Sequence, residues 1–154
     1  VSALVAVNAV GEVFDTASNT VLAGIRANDM GQYQSAVDVA LGNSITAPVA
    51  GTNTTLGLVA TNANLNKAQL KKVAEMAHDG MARAIRPIHT QFDGDTVFAV
   101  SVPESDIEIT ANVDVLLNSI GIAAARALEL AIVDAVRSAK SVGTVVACCD
   151  WHNG

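Results

Sequence analysis

Aromatic side chains are nearly missing from this chain: three Phe, one Tyr and one Trp make up 3% of 154 residues. A core must then be assembled from Ala, Val, Leu and Ile, within a hydrophobic content of 51%. Ala-rich helices on Val-rich strands point to a layered α/β or α+β protein, and the length suits one domain, 1–154, with a sizeable core. Cysteine is limited to the neighbours Cys148 and Cys149. Neighbours rarely close a structural disulfide, and without a second pair there is no zinc site; two thiols in a C-terminal strand of a reducing compartment are expected. Positive charge is scarce, with nine Lys and Arg against fifteen Asp and Glu and a net charge of −6. That argues against nucleic acid or an anionic membrane as partner. Long apolar runs are lacking too: none approaches the roughly 18 residues that span a bilayer. The start, Val1-Ser2-Ala3-Leu4-Val5, is apolar but has no positively charged lead and no cleavage signature, so it is not read as a signal peptide. A cytoplasmic enzyme or binding protein is the expectation, with no cofactor and no metal.

What the chain does have is Gly51-Thr52-Asn53-Thr54-Thr55-Leu56-Gly57. A small polar run meets an apolar, β-branched run at two threonines, which places Thr54 at the first position of a buried strand, Leu56 to Ala60. Two threonines opening a strand are common. A threonine there can also be a nucleophile: if the Asn53–Thr54 bond is cut, the freed α-amine, with a pKa of about 8, can serve as its base. Asn53-Thr54-Thr55 matches a glycosylation sequon as well, which the absence of a secretion signal discounts.

The rest is read as a scaffold. Ala3 to Val10 is a continuous apolar run, suited to a strand covered on both faces, and broken by Asn8. Asn8 is either a satisfied amide at a strand end or a donor aimed at a reaction centre, as in an oxyanion hole. A strand opening at residue 1 suggests a chain that begins inside a larger architecture. Gly11 to Ala23 reads as two short strands about a polar turn. Residues 24–48 are irregular, with one or two helical turns at Ser35 to Leu41. Asn66, with Gln69 three residues on, caps a helix whose apolar positions are Leu70, Val73, Ala74, Ala77 and Met81 and which Pro87 ends. His78 falls on its polar face. Phe92-Asp93-Gly94-Asp95-Thr96 leads into a strand at Val97 to Val102. Asp93 and Asp95 form either a simple turn or a pair of acceptors that orient an ammonium or hydroxyl; His89, close by, is a supporting candidate only. An acidic surface loop follows at Pro103 to Thr110. Asn112 to Ser138 forms a long helix with a buried stripe at Val113, Leu116, Leu117, Ile120, Ala124, Leu128, Ala131 and Val136. Val142 to Ala147 is expected to be a last strand.

Three separated pieces now combine: Thr-Asn-Thr-Thr-Leu-Gly at 52–57, Ala-His-Asp-Gly-Met-Ala-Arg-Ala-Ile-Arg-Pro-Ile-His-Thr at 77–90, and Phe-Asp-Gly-Asp-Thr-Val-Phe-Ala-Val at 92–100. Their order and spacing resemble the DmpA-type self-processing aminopeptidases, a family of N-terminal-nucleophile hydrolases, and most of all its nylon-oligomer hydrolase branch. The resemblance implies a four-layered αββα fold, of which this chain is only part. It implies autocleavage between Asn53 and Thr54, with 1–53 ending the large subunit and 54–154 forming the small one. Thr54 is then the nucleophile, Asn8 stabilises the oxyanion, and Asp93 and Asp95 orient the nucleophile and its amine. The substrate is an amide or short peptide, and the assembly a tetramer or octamer of cleaved heterodimers. An acyltransferase of the related ornithine-acetyltransferase type, or an inactive fragment of the same fold, are the competing readings. The family's large subunit is several times longer than the 53 residues ahead of Thr54. The tail after Ala139 does not align.

Overall fold

The computed structural model describes residues 1–29, 31–42, 53–103 and 112–152. Met30, residues 43–52, the acidic loop at 104–111 and the last two residues lie outside them. The main sheet has three strands in the order β1 (Ser2–Asn8), β6 (Thr54–Thr61), β8 (Thr96–Ser101). β1 runs antiparallel and β8 parallel to β6. A parallel neighbour needs a crossover, and α2 (Lys67–Ala84) supplies it. A second small sheet holds β3 (Thr20–Ala23), β2 (Glu12–Asp15) and β7 (Ile85–Arg86), and β4 (Ile25–Arg26) pairs with β5 (Tyr33–Gln34).

The helices form as their sequences direct. Asn66 and Gln69 close a reciprocal capping box on α2. Val73, Ala77, Gly80, Met81 and Ala84 turn inward, while Lys71, Lys72 and Glu75 pair with one another in solvent. Asn112 caps α3 (Val113–Ser138), and Ser35 caps the short α1 (Ala36–Leu41). The expected stripe of α3 is buried at Ile120, Ala124 and Leu128, but it continues through Ile132 and Val133 rather than Ala131, and Val113 is exposed. By length and composition α3 is long and apolar enough to cross a bilayer, although its apolar residues are not contiguous. In this fold it packs along α2 and β1 instead.

α2 and α3 cover one face of the main sheet, and among the described residues nothing covers the other. Val59 and Thr55 are shut against the helices, whereas Leu4 is 69% and Phe98 59% exposed, with Leu56 and Leu58 between them. The expectation that β1 and β6 are covered on both faces is therefore corrected: both alternate, inward against the helices and outward into solvent. About the main sheet, the described residues thus supply one helical layer, on one face only. The C-terminal part is corrected as well. Val142 and Val145 close a tight turn, not a strand, and Cys148 and Cys149 begin a short helix, α4 (Cys148–His152).

The two long helices approach closely because of glycine. A Cβ on Gly80 would run into the carbonyl of Ala125. Gly80→Ala is predicted to cost about 1–3 kcal/mol, more than alanine's gain in helix propensity returns. Urea unfolding should show a lower midpoint at unchanged slope; an unmoved midpoint would mean the helices part freely.

Candidate active site

The main sheet brings the motifs to one end. Asn8 and Thr54 are direct partners in the antiparallel register of β1 and β6. Opposite residues in such a pair hold their Cβ atoms about 4.5–5.5 Å apart on the same face. Because Thr55 is fully buried toward the helices, alternation places Thr54 and Asn8 on the open face, with Leu56 and Leu58. On the other side of β6, Asn53 pairs with Asp93 in a parallel bridge that leads into β8.

The Asn53–Thr54 peptide is held from two sides. The Thr54 hydroxyl donates to the Asn53 carbonyl oxygen at 2.7 Å, and the Gly94 N–H donates to the same oxygen at 3.0 Å. A Cβ on Gly94 would lie 2.6 Å from Thr54 Oγ1, so the turn approaches this closely only with glycine there. One peptide further, the Thr55 N–H donates to Asp95 Oδ1 at 2.7 Å.

The two aspartates have different tasks. Asp95, its side chain 4% exposed, holds Thr55 through one oxygen and His89 through the other, at 3.0 Å from the ring Nδ1 and 3.3 Å from the backbone nitrogen. Asp93 fastens its own turn: Oδ2 accepts the Thr90 N–H at 2.8 Å, and the Asp93 N–H donates to the Thr90 carbonyl. Thus Asp95 touches the threonine strand with its side chain, and Asp93 reaches it through the backbone bridge.

Two residues given lesser places by the sequence also belong here. His89 sits in the left-handed region at φ 58, uncommon for a residue with a Cβ, and that conformation accompanies two hydrogen bonds to one carboxylate oxygen. His78 is not simply on a solvated face: its Nδ1 lies 3.1 Å from His89 Nε2, with the rings edge to face. Burial, then the neighbouring His89, push the His78 pKa below its ordinary value, while Asp95 and Asp79 pull the other way. The spacing of His78 eleven residues before His89 carries no signal, because Pro87 turns the chain between them. Burial and then Cys149 push the Cys148 thiol pKa above its ordinary value. A cavity of about 560 Å³ opens beyond the end of β1, with Asn8, Tyr33, Arg26 and Cys148 in its wall.

Residues 1–147 match the model of peptidase family S58. The chain belongs to that family. An uncharacterized aminopeptidase of Mycobacterium leprae is 36% identical over 162 residues, covering all of this chain and 45% of the relative. A 6-aminohexanoate-oligomer endohydrolase of Agromyces sp. is 32% identical over 114 residues, covering 70% of this chain and 31% of the relative. The S58 chain therefore spans less than half the length of these relatives. Among solved structures, the L-aminopeptidase D-Ala-esterase/amidase of Ochrobactrum anthropi superposes with a TM-score of 0.52 at 24% identity. The match covers 64% of this chain and 31% of that one. That enzyme is described as a prototype for the serine aminopeptidases and a new variant among the Ntn hydrolase fold. The fold of this S58 chain is of that kind, as the motifs implied.

Gly94→Ala tests the close approach. The methyl must displace either the Thr54 hydroxyl or the turn, at a cost of about 1–3 kcal/mol in stability. A thermal midpoint equal to the parent's would show that the turn has slack.

Proposed function

We propose that the protein is a self-processing amide or peptide hydrolase whose nucleophile is Thr54. Family membership supports the reaction class. The observation that carries the assignment to Thr54 is its hydroxyl, hydrogen-bonded onto the carbonyl of the preceding residue while Gly94 donates to the same oxygen. The hydroxyl lies beside that carbonyl and need only turn from its oxygen to reach the carbon, and an N–H already on the oxygen can stabilise the negative charge that attack creates.

Processing has two steps. Thr54 Oγ bonds to the Asn53 carbonyl carbon, the C–N bond breaks, and the nitrogen takes the proton as an α-amine. Water then opens the resulting ester, leaving the Asn53 carboxylate and a free Thr54. In turnover the new amine takes the Thr54 hydroxyl proton and Oγ attacks a substrate carbonyl, as in other N-terminal threonine nucleophiles. The substrate's amine half leaves with a proton, and water hydrolyses the acyl ester. Asn8, opposite Thr54 on the open face, is the donor for the substrate oxyanion. Asp95 fixes the strand start through Thr55, and Asp93 holds the turn that carries Asp95. Cleavage yields 1–53 and 54–154, and an oligomer of such heterodimers fits the family resemblance. The bare apolar face of the main sheet, beside Thr54 and Asn8, is where the remainder of a longer protein would close the substrate cleft. Peptides and oligoamides are the candidate substrate classes.

Thr54→Ala should leave the chain uncut and without amidase activity; intact mass showing two pieces would refute the assignment. Asn8→Ala should still fold and lose roughly 10²–10³ in kcat on an amide substrate. An amine acceptor added to the assay separates hydrolysis from acyl transfer by the product formed.

A further inference from the structure

A continuous string of hydrogen bonds runs from α2 to the nucleophile strand. His78 Nδ1 meets His89 Nε2 at 3.1 Å, His89 Nδ1 meets Asp95 Oδ2 at 3.0 Å, and Asp95 Oδ1 accepts the Thr55 N–H at 2.7 Å. We propose that His89 and His78 are positioning residues for the Thr54 centre, acting through Asp95. The proposal rests on Thr54 being the nucleophile.

The chemistry of each link fixes the next. An ionised carboxylate only accepts, so His89 Nδ1 carries a proton. The Asp95 oxygens then hold the Thr55 peptide on one side and the His89 ring on the other. With both rings neutral, His89 Nε2 accepts from His78 Nδ1–H. One added proton reverses that bond: the His89 imidazolium donates to His78 Nδ1, and Asp95 keeps its donor. A second proton would set two N–H groups face to face and break the string. It therefore accommodates one proton and resists the next, in keeping with the lowered pKa of His78.

Among the described residues, the other charges on the neighbouring elements are engaged elsewhere, Asp79 apart. Asp79 on α2 is the further acid acting on His78. From α3, Glu129 pairs with its neighbour Arg126 and with Arg83 of α2. On β7, Arg86 bonds Asn19 and lies over Phe14, and on β2, Glu12 accepts the Ala36 N–H. β8 carries no charged residue, and Asp93 is bound to Thr90. The left-handed backbone of His89 is the cost of the arrangement, since it allows the ring and the N–H of one residue to grip a single oxygen. Such strain persists where the surroundings over-determine it.

The test follows conversion of the purified protein into two fragments on denaturing gels, from about pH 5 to 8, the range in which histidine changes charge. His89→Ala should slow processing about tenfold or more, because small misplacements of reacting groups are costly. His89→Asn, which keeps an N–H donor and tolerates the left-handed backbone, should recover most of that rate. In the parent, the rate should fall on the acid side as the second proton breaks the string; His78→Phe should keep most of the rate at neutral pH and lose that fall. Equal rates and equal pH profiles in all three variants and the parent would overturn the proposal. The Thr55 amide proton, followed by NMR in the uncut Thr54→Ala protein, gives a readout independent of cleavage. It should lie far downfield, titrate with the histidines and move on adding His89→Ala; an amide indifferent to both overturns the string. If the parent itself never cleaves, the Thr54 assignment falls, and the amide still decides whether the histidines set Asp95.

Discussion

The bond from the Thr55 N–H to Asp95 ties two distant parts of the chain into one centre. Residues 40 apart in sequence meet within 2.7 Å. Without that carboxylate, the start of β6 would be held by backbone pairing alone, and a strand end is where pairing is weakest. The carboxylate is nearly buried and would be costly there without donors; Thr55 and His89 supply them. The geometry at Thr54 follows. Its hydroxyl and the Gly94 amide converge on one carbonyl oxygen because Asp95 draws the turn against the strand.

Everything else fixes where that bond can form. The parallel pairing of β6 and β8 requires a crossover, and α2 is long enough to return the chain to the far end of the sheet. The turn from Pro87 to Asp95 then lies beside the start of β6. The antiparallel pairing of β1 brings Asn8 to the same level from the other side. Close packing of α2 on α3, which the small residues Gly80 and Ala125 permit, holds the crossover rigid. Rigid elements thus hold Thr54 on three sides, as precise placement of its hydroxyl needs.

Much of this was legible in the sequence. The capping box of α2 and the strand starting at Thr54 each have local signals, and both formed where expected, whereas the turn before β8 closes over Thr90 to Asp93, ahead of the Asp-Gly-Asp run. The burial of the strands was misread for a physical reason. Composition records that β1 and β6 are apolar on both faces, but not that one of those faces lacks a covering layer among the described residues. Val142 to Ala147 has a strand's composition, yet Gly143 at φ 59 lets the chain fold back on itself within four residues. The histidine pair was illegible because it depends on two rings meeting edge to face across a turn, and spacing along the chain says nothing of that. The difference between Asp93 and Asp95 was equally hidden: they stand two residues apart, and only the register of the Asn53–Asp93 bridge separates the one that ties the turn from the one that holds the strand.

The central claim is that the chain breaks ahead of Thr54 and that the new terminus performs the chemistry. N-terminal sequencing of the smaller fragment, from protein purified in active form, tests position and chemistry together. The account predicts a sequence opening Thr54-Thr55-Leu56-Gly57. Active protein that yields a single unbroken chain, or a fragment beginning at any other residue, would contradict it.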